Sequence, residues 1–368
     1  MNIFFHKAKQ VFEKPTQIHF GGFLASLYKW PEFTIFADMQ NESDFKIYFA
    51  PLQESTDYIY RSAHAKFFPG VDKYFAPYIV RQRDGSVKTS HLRDIRSENN
   101  LDYPLVPQIL AGNPADFIFL VKLLQDNGYD EVNWNLGCPY PMVTNKGLGS
   151  GLLPHPERIK SILETSLPLV NCKISVKMRS GLQSHDEIFQ IIETLNQFPL
   201  SEIILHPRFG KQLYRSEPDE AVFTKFHKTL DHLLVYNGDI ESSENFNRLN
   251  QLFGDINTWM IGRGILKNPF LPLILKKDVL PEIEERAQLM RKFHDEIFLK
   301  YSGLLSGSSH ILMRMEKFWS YFCFGFPNAH KTFKRIKKAA NIVKYEAAVN
   351  ENFQRLTDHE EDQCSENP

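Results

Sequence analysis

Net charge is almost absent from this chain: 43 Lys and Arg stand against 44 Asp and Glu, leaving a formal charge of −1. Cysteine is scarce. Cys138, Cys172, Cys323 and Cys364 are widely spaced and form no CxxC pair, which argues against both a zinc site and a disulfide framework. No apolar run approaches the ~18 residues of a membrane span, and no charged start, apolar middle and small-residue cleavage site mark a signal peptide. A cytoplasmic protein with no membrane and no metal partner is expected. No GxGxxG turn follows the first apolar strand, which disfavours an open doubly wound sheet.

What is present is an ordinary globular balance, 42% apolar and 24% charged over 368 residues, enough for one large domain and a smaller one. Short apolar runs at 47–51, 74–80, 105–110, 131–136, 174–178, 202–206, 233–236 and 258–261 read as strands. Helical patterns lie between most of them, at 114–127, 156–165, 186–198 and 219–230. Pro114 and Pro156 suit first-turn positions, and Asn113 caps the first. Repeated βα units with near-continuous apolar strands predict an α/β fold, a (β/α)₈ TIM barrel over residues 46–275. Function in such barrels sits where the strands end. Those ends carry Gln53, Arg81, Gln108, Asn135 with Cys138, Lys177 with Arg179, His206 with Arg208, Asn237 with Asp239, and Gly262–Gly264.

Beyond the barrel, 282–301, 310–323 and 328–343 read as helices of a small domain spanning residues 282–345. Residues 283–345 hold 12 Lys and Arg against 5 Asp and Glu (12 − 5 = +7). A basic segment on a neutral protein suits a polyanionic substrate gripped by part of the surface; the same segment also reads as a solvated helical face. Residues 346–368 hold 7 acids and one Arg (1 − 7 = −6) and read as a disordered acidic tail. Residues 1–45 lack a sustained period and read as an extension, with Met39 a candidate for the true start of translation.

Gly262-Arg263-Gly264 and Asn237-Gly238-Asp239 end the last two strands, where backbone N–H groups and an arginine can meet a phosphate. Two plain glycine turns are the alternative. Lys177 at a strand end calls for a negative partner in the barrel mouth, unless it snorkels to the surface. Cys138 follows strand four and precedes a glycine-rich run, Gly147–Gly151. A thiol with an ordinary pKa of ~8.5 is mostly protonated at neutral pH and can serve as an acid; most single cysteines are inert packing residues.

Residues 50–57, Ala-Pro-Leu-Gln-Glu-Ser-Thr-Asp, resemble the opening motif of tRNA-dihydrouridine synthases. Gln108, Asn135–Pro139, Lys177–Arg179, His206-Pro207-Arg208, Gln212 with Tyr214, Asn237–Ile240, Ile261–Gly264 and Asn268-Pro269 follow in the family's order, covering about residues 47 to 270. Leu52 stands where the family usually has methionine. The resemblance implies bound FMN, NADPH as electron donor, hydride transfer to C6 of a uridine in tRNA, and protonation of C5 by Cys138. It implies Pro51, Leu52 and Gln53 lining the flavin, Gln108 and Lys177 on its ring edge, and His206 nearby. Asn237, Gly238, Asp239, Gly262 and Arg263 would hold the ribityl chain and phosphate. Asn135 and Arg208 would position the uracil. A uracil in folded tRNA must leave its stack to enter such a mouth, and Lys334, Arg335 and Lys338 of the basic helices would contact phosphates. The enzyme is expected to act as a monomer. The competing expectations are a dihydroorotate-dehydrogenase-like reductase of a small pyrimidine and a catalytically silent RNA-binding barrel.

Overall fold

The computed structural model describes residues 44–365, together with the segments 16–20 and 23–27. Those two segments pair as an antiparallel ladder, from Thr16 opposite Leu27 to Phe20 opposite Phe23. Met39 lies outside the described residues.

Eight parallel staves form the barrel: β1 (Lys46–Phe49), β2 (Lys73–Phe75), β3 (Leu105–Val106 and Gln108–Ile109), β4 (Glu131–Leu136), β5 (Lys173–Arg179), β6 (Ile203–His206), β7 (Leu234–Tyr236) and β8 (Thr258–Ile261). The third is in two pieces because Pro107 has no N–H to give the ladder. Its first piece pairs with β2 and its second with β4, and a bridge between Ile79 and Ile109 completes the ring. β8 pairs with β1, so the sheet runs round on itself.

Strand side chains alternate between the helices and the barrel interior. Ile47, Phe49, Trp134, Val176 and Leu205 belong to the large core between sheet and helices. Tyr48, Ala50, Phe75, Val106, Ile204, Val235 and Met260 form a separate cluster that fills the barrel. Polar residues of the interior set lie above that plug, toward the strand ends, and make the site.

After the barrel come helices Ile283–Leu304, Ser308–Phe322, Ala329–Lys337 and Ile342–Ser365. Phe293, Phe318, Trp319, Phe322, Tyr345 and Phe353 form their aromatic core. Two expectations need correction here. The helix expected over 328–343 is two helices, because Asn341 caps a new start by accepting from the Lys344 N–H at 2.9 Å. The tail expected to be disordered is helical to Ser365: Tyr345, Val349, Phe353 and Leu356 fall on one face and are buried. Acidic composition concealed an apolar stripe of helical period.

Asp57 helps fasten the helical domain to the barrel, beside the Lys66–Glu296 ion pair and the packing of Phe293 on Tyr60, His64 and Phe68. Asp57 caps helix Tyr58–Phe67 through the Tyr60 N–H, accepts from the Tyr301 hydroxyl at 2.9 Å on each oxygen, and pairs with Arg314. Arg314 also donates to the Glu54 carbonyl at 2.7 Å.

Candidate active site

The strand ends open into a cavity of about 290 Å³ whose walls include Pro51, Leu52, Gln53, Gln108, Asn135, Cys138, Lys177 and His206. It shares Pro51, Leu52, Lys177, His206, Tyr214 and Arg263 with an adjoining recess that reaches Asn237, Gly238, Asp239 and Gly262. With Pro77 and Tyr78 from the loop after β2, residues from all eight staves or the loops after them therefore meet in one cleft. Arg208 and the helical residues Lys334, Arg335 and Lys338 line neither part.

Side-chain amides organise one wall. Asn133 donates to Ser175 Oγ at 2.9 Å, Gln108 donates to Asn133 Oδ1 at 2.7 Å, and Asn135 donates to Gln108 Oε1 at 2.7 Å. Asn135 Oδ1 then accepts from the N–H groups of Gly137 and Cys138 at 3.0 and 2.9 Å. The chain crosses β5, β4 and β3 and ends by shaping the Cys138 loop. Asn135 thus orients the thiol's backbone.

Cys138 is buried, and its carbonyl accepts from both the N–H and the hydroxyl of Ser150 at 3.1 Å. Burial raises the thiol's pKa, which keeps the sulfur protonated at neutral pH; the Tyr140 backbone N–H, Tyr78 and Arg179 act in the opposite sense.

The adjoining wall is cationic, with Lys177 the β5 register partner of Asn135. The Lys177 amine makes no hydrogen bond or ion pair with any described residue, and the side chain lines the cleft. Desolvation and then the Arg179 charge bring its pKa down to about 7. Arg179 is buried, donates to the Phe209 carbonyl at 3.1 Å and lies over the Tyr214 ring at 5.3 Å. Arg263 covers the same ring at 4.4 Å and pairs with Asp239.

Arg208 is enclosed. Its guanidinium donates to the Ser216 carbonyl at 2.6 Å, to His206 Nε2 at 2.9 Å and to both oxygens of Asp239. Those contacts use four of its five N–H donors, and Arg208 lines neither part of the cleft. An arginine can only donate, so His206 Nε2 accepts and Nδ1 carries the ring proton. Burial, then the charges of Arg179, Lys177, Arg208 and Arg263, hold His206 well below its usual pKa and therefore neutral. Asp239, expected to meet the ribityl chain and phosphate, has its carboxylate committed to Arg208 and Arg263. It orients those two arginines.

The two glycine motifs divide by cause. A Cβ on Gly264 would lie 2.1 Å from the Ile240 carbonyl oxygen, and one on Gly238 would lie 2.8 Å from the Tyr236 hydroxyl. Those two are glycine for packing. A Cβ on Gly262 would meet nothing nearer than 3.4 Å, so this residue keeps the recess open instead. In all, Lys177, Arg179, Arg263 and Lys317 line the cleft against Asp239 and Glu241 (4 − 2 = +2 with Lys177 charged), and Glu241 is paired with Lys267 outside the lining. An anion of matching shape would be stabilised there.

Several lining residues stand outside the set expected at the strand ends. Tyr78 and Tyr140 enter from loops after β2 and β4, and Lys317 and Tyr321 from helix Ser308–Phe322. In that helix Phe318, Trp319 and Phe322 are core, as their spacing implies, while Tyr321 turns to the mouth. Arg81 lies off the site, pairing with Asp116 and covering Phe119. Among the basic helical residues, Arg335 pairs with Glu351 and Lys337 with Glu316, whereas Lys334 and Lys338 are exposed without an ion pair to any described residue.

A profile of the family described as "Dihydrouridine synthase (Dus)" matches residues 48–359. The chain is 26% identical over 301 residues to a probable tRNA-dihydrouridine synthase of Staphylococcus epidermidis, covering 80% of this chain and 90% of that one. It is 25% identical over 255 residues to the tRNA-dihydrouridine(16) synthase of Vibrio parahaemolyticus, covering 68% and 78%.

Proposed function

The chain belongs to the dihydrouridine synthase family, and from that premise we propose that it reduces the C5–C6 double bond of a uridine in tRNA, with FMN in the barrel mouth and NADPH as electron donor. The observation that carries this reading is the single cleft that joins the buried Cys138 thiol to the unpartnered Lys177 amine and the open turn at Gly262.

The residues present fit an anionic flavin. FMN carries a phosphate, and its ring becomes anionic on reduction, which suits a recess with a surplus of cations. Lys177 would meet the N1/C2=O edge, with Pro51, Leu52, Gln53 and Gln108 along the ring. Asn237, Gly238, Gly262 and Arg263 would hold the ribityl phosphate. When bound, the reduced flavin supplies the hydride that C6 receives.

The protein's own groups do the rest. Cys138 keeps a proton at neutral pH and yields it to C5: the S–H bond breaks, a C–H bond forms, and the electron pair stays on sulfur as thiolate. Neutral His206 offers a Nδ1–H donor without adding charge. Lys317 and Tyr321 bring the helical domain to the rim, which favours a macromolecular substrate over a free pyrimidine. Lys334 and Lys338 supply sequence-independent phosphate contacts, and a cytoplasmic location follows from the substrate.

Mass spectrometry of nucleosides in tRNA from cells lacking the gene tests the reading. Dihydrouridine should disappear from at least one position, return with the wild-type gene, and stay absent with Cys138→Ala. Unchanged dihydrouridine at every position in the deletion strain would reject the assignment.

A further inference from the structure

Among the described residues, Cys138 has one side-chain neighbour able to exchange a hydrogen bond with its sulfur: the Tyr78 hydroxyl, 4.0 Å from Sγ. Tyr78 has no other hydrogen-bond partner among the described residues. Both groups line the same cavity. Gln108 is common to the supports of both, through its carbonyl on one side and its side chain on the other. Tyr78 sits beside Ile79, whose N–H donates to the Gln108 carbonyl at 2.8 Å and whose carbonyl accepts from the Leu110 N–H at 2.9 Å. Cys138 is fixed on the other side by Asn135 and Ser150. The pair therefore meets side by side in the cavity, each side chain carried by a hydrogen-bonded backbone.

We propose that Tyr78 is a positioning residue for the acid: its hydroxyl aims the Cys138 thiol into the cavity and donates to the sulfur once the proton has left. The inference rests on Cys138 serving as the acid. In the resting protein the thiol points its proton at Tyr78 Oη. Transfer to C5 breaks the S–H bond and leaves the electron pair on sulfur, and the phenol rotates its own O–H onto that thiolate without giving up its proton. Burial, and the neighbouring Cys138, Tyr140 and Glu54, raise the phenol's pKa, so it remains a donor throughout the working range. A separation long for the neutral pair is what an acid between turnovers should show, since such contacts tighten as charge develops. The other groups facing the sulfur are the Tyr140 backbone N–H and the Arg179 charge, which also favour thiolate. Removing Tyr78 should thus weaken thiolate stabilisation without abolishing it.

The test uses the full-length, flavin-loaded protein and does not involve tRNA at first. Iodoacetamide alkylation of Cys138 is followed against pH, with the Cys138 peptide resolved by mass so that the other cysteines do not contribute. Tyr78→Phe should raise the alkylation midpoint by about one pH unit, a tenfold change in thiolate at a given pH. On tRNA, kcat should fall about tenfold with KM unchanged. Incorporating 3,5-difluorotyrosine at position 78, a stronger donor of nearly the same shape, should lower the midpoint. It also serves where Tyr78→Phe loses its flavin. An unmoved midpoint in a flavin-retaining variant overturns the proposal. Full activity of Cys138→Ala on tRNA would instead remove the acid assignment, a separate outcome from the alkylation result.

Discussion

Gly149 lies so close beneath Cys138 that a Cβ on it would stand 2.7 Å from the Cys138 carbonyl oxygen and 2.9 Å from the Cys138 Cβ. Its φ of +57° is also one that L residues rarely adopt. Gly149→Ala should therefore cost about 1–3 kcal/mol of stability through backbone strain and shift the thiol loop. Denaturant unfolding would show the loss. Single-turnover reduction of tRNA should slow in protein that still carries flavin, because the flavin-holding residues lie on other staves.

Lys177 ties cofactor binding to pH. Its pKa falls from 10.5 to about 7 in the flavin-free fold. Between those values the unfolded chain binds a proton that the folded one does not, so the flavin-free protein should gain stability as pH rises from 7 toward 10. Below 7 both states are charged and the burial cost is fully present. Lys177→Met should flatten this rise, as urea unfolding at pH 7 and pH 9 would reveal. An anion restores the amine's charge, so FMN binding at pH 8 should take up a proton. Calorimetry in buffers of different ionisation enthalpy should detect that uptake in wild type and miss it in Lys177→Met, along with a roughly 10–100-fold weaker affinity from one lost charge-assisted hydrogen bond.

Asp57 holds the two domains at the site. Asp57→Asn removes the charge that Arg314 faces and half of what Tyr301 donates to, for an expected loss of about 1–3 kcal/mol. Flavin content should stay near normal. KM for tRNA should rise as Lys317 and Tyr321 lose their fixed place at the rim, and steady-state kinetics beside flavin absorbance would separate the two effects.

The exposed lysines of helix Ala329–Lys337 and its end make a different prediction. Reversing Lys334 and Lys338 to Glu should weaken tRNA binding and reduce the slope of log affinity against log salt by about two. Filter binding across a salt series measures both. Turnover at saturating tRNA should change little.

Much of this architecture is legible in the sequence because local rules decide it. The eight staves fall where the apolar runs lie, Pro114 and Pro156 open their helices, and Cys138, Lys177 and Gly262 share one cleft as strand-end positions should. What escapes is decided by contacts distant in the chain. Asp57 reads as a helix cap and nothing reveals that Tyr301 will meet it. Arg208 has the composition of a ligand-binding residue, yet Ser216, His206 and Asp239 close around it. Tyr78 lies in an apolar run and becomes a neighbour of Cys138 only when the barrel closes. The final helix escaped because acidic residues outweighed its apolar stripe.

That closure is uneven. β4 and β5 are joined over six paired residues, whereas β2 and β3 are joined over two, with Pro107 interrupting the ladder and the Ile79–Ile109 bridge beyond it. The ring is thus thinly laddered there, as it is between β7 and β8, joined over one pair, Tyr236 with Trp259, and amide hydrogens at both places should exchange before those of β4 and β5. Tyr78 and Gln108 sit beside the β2–β3 junction, so an opening of the barrel there would part the phenol from the sulfur.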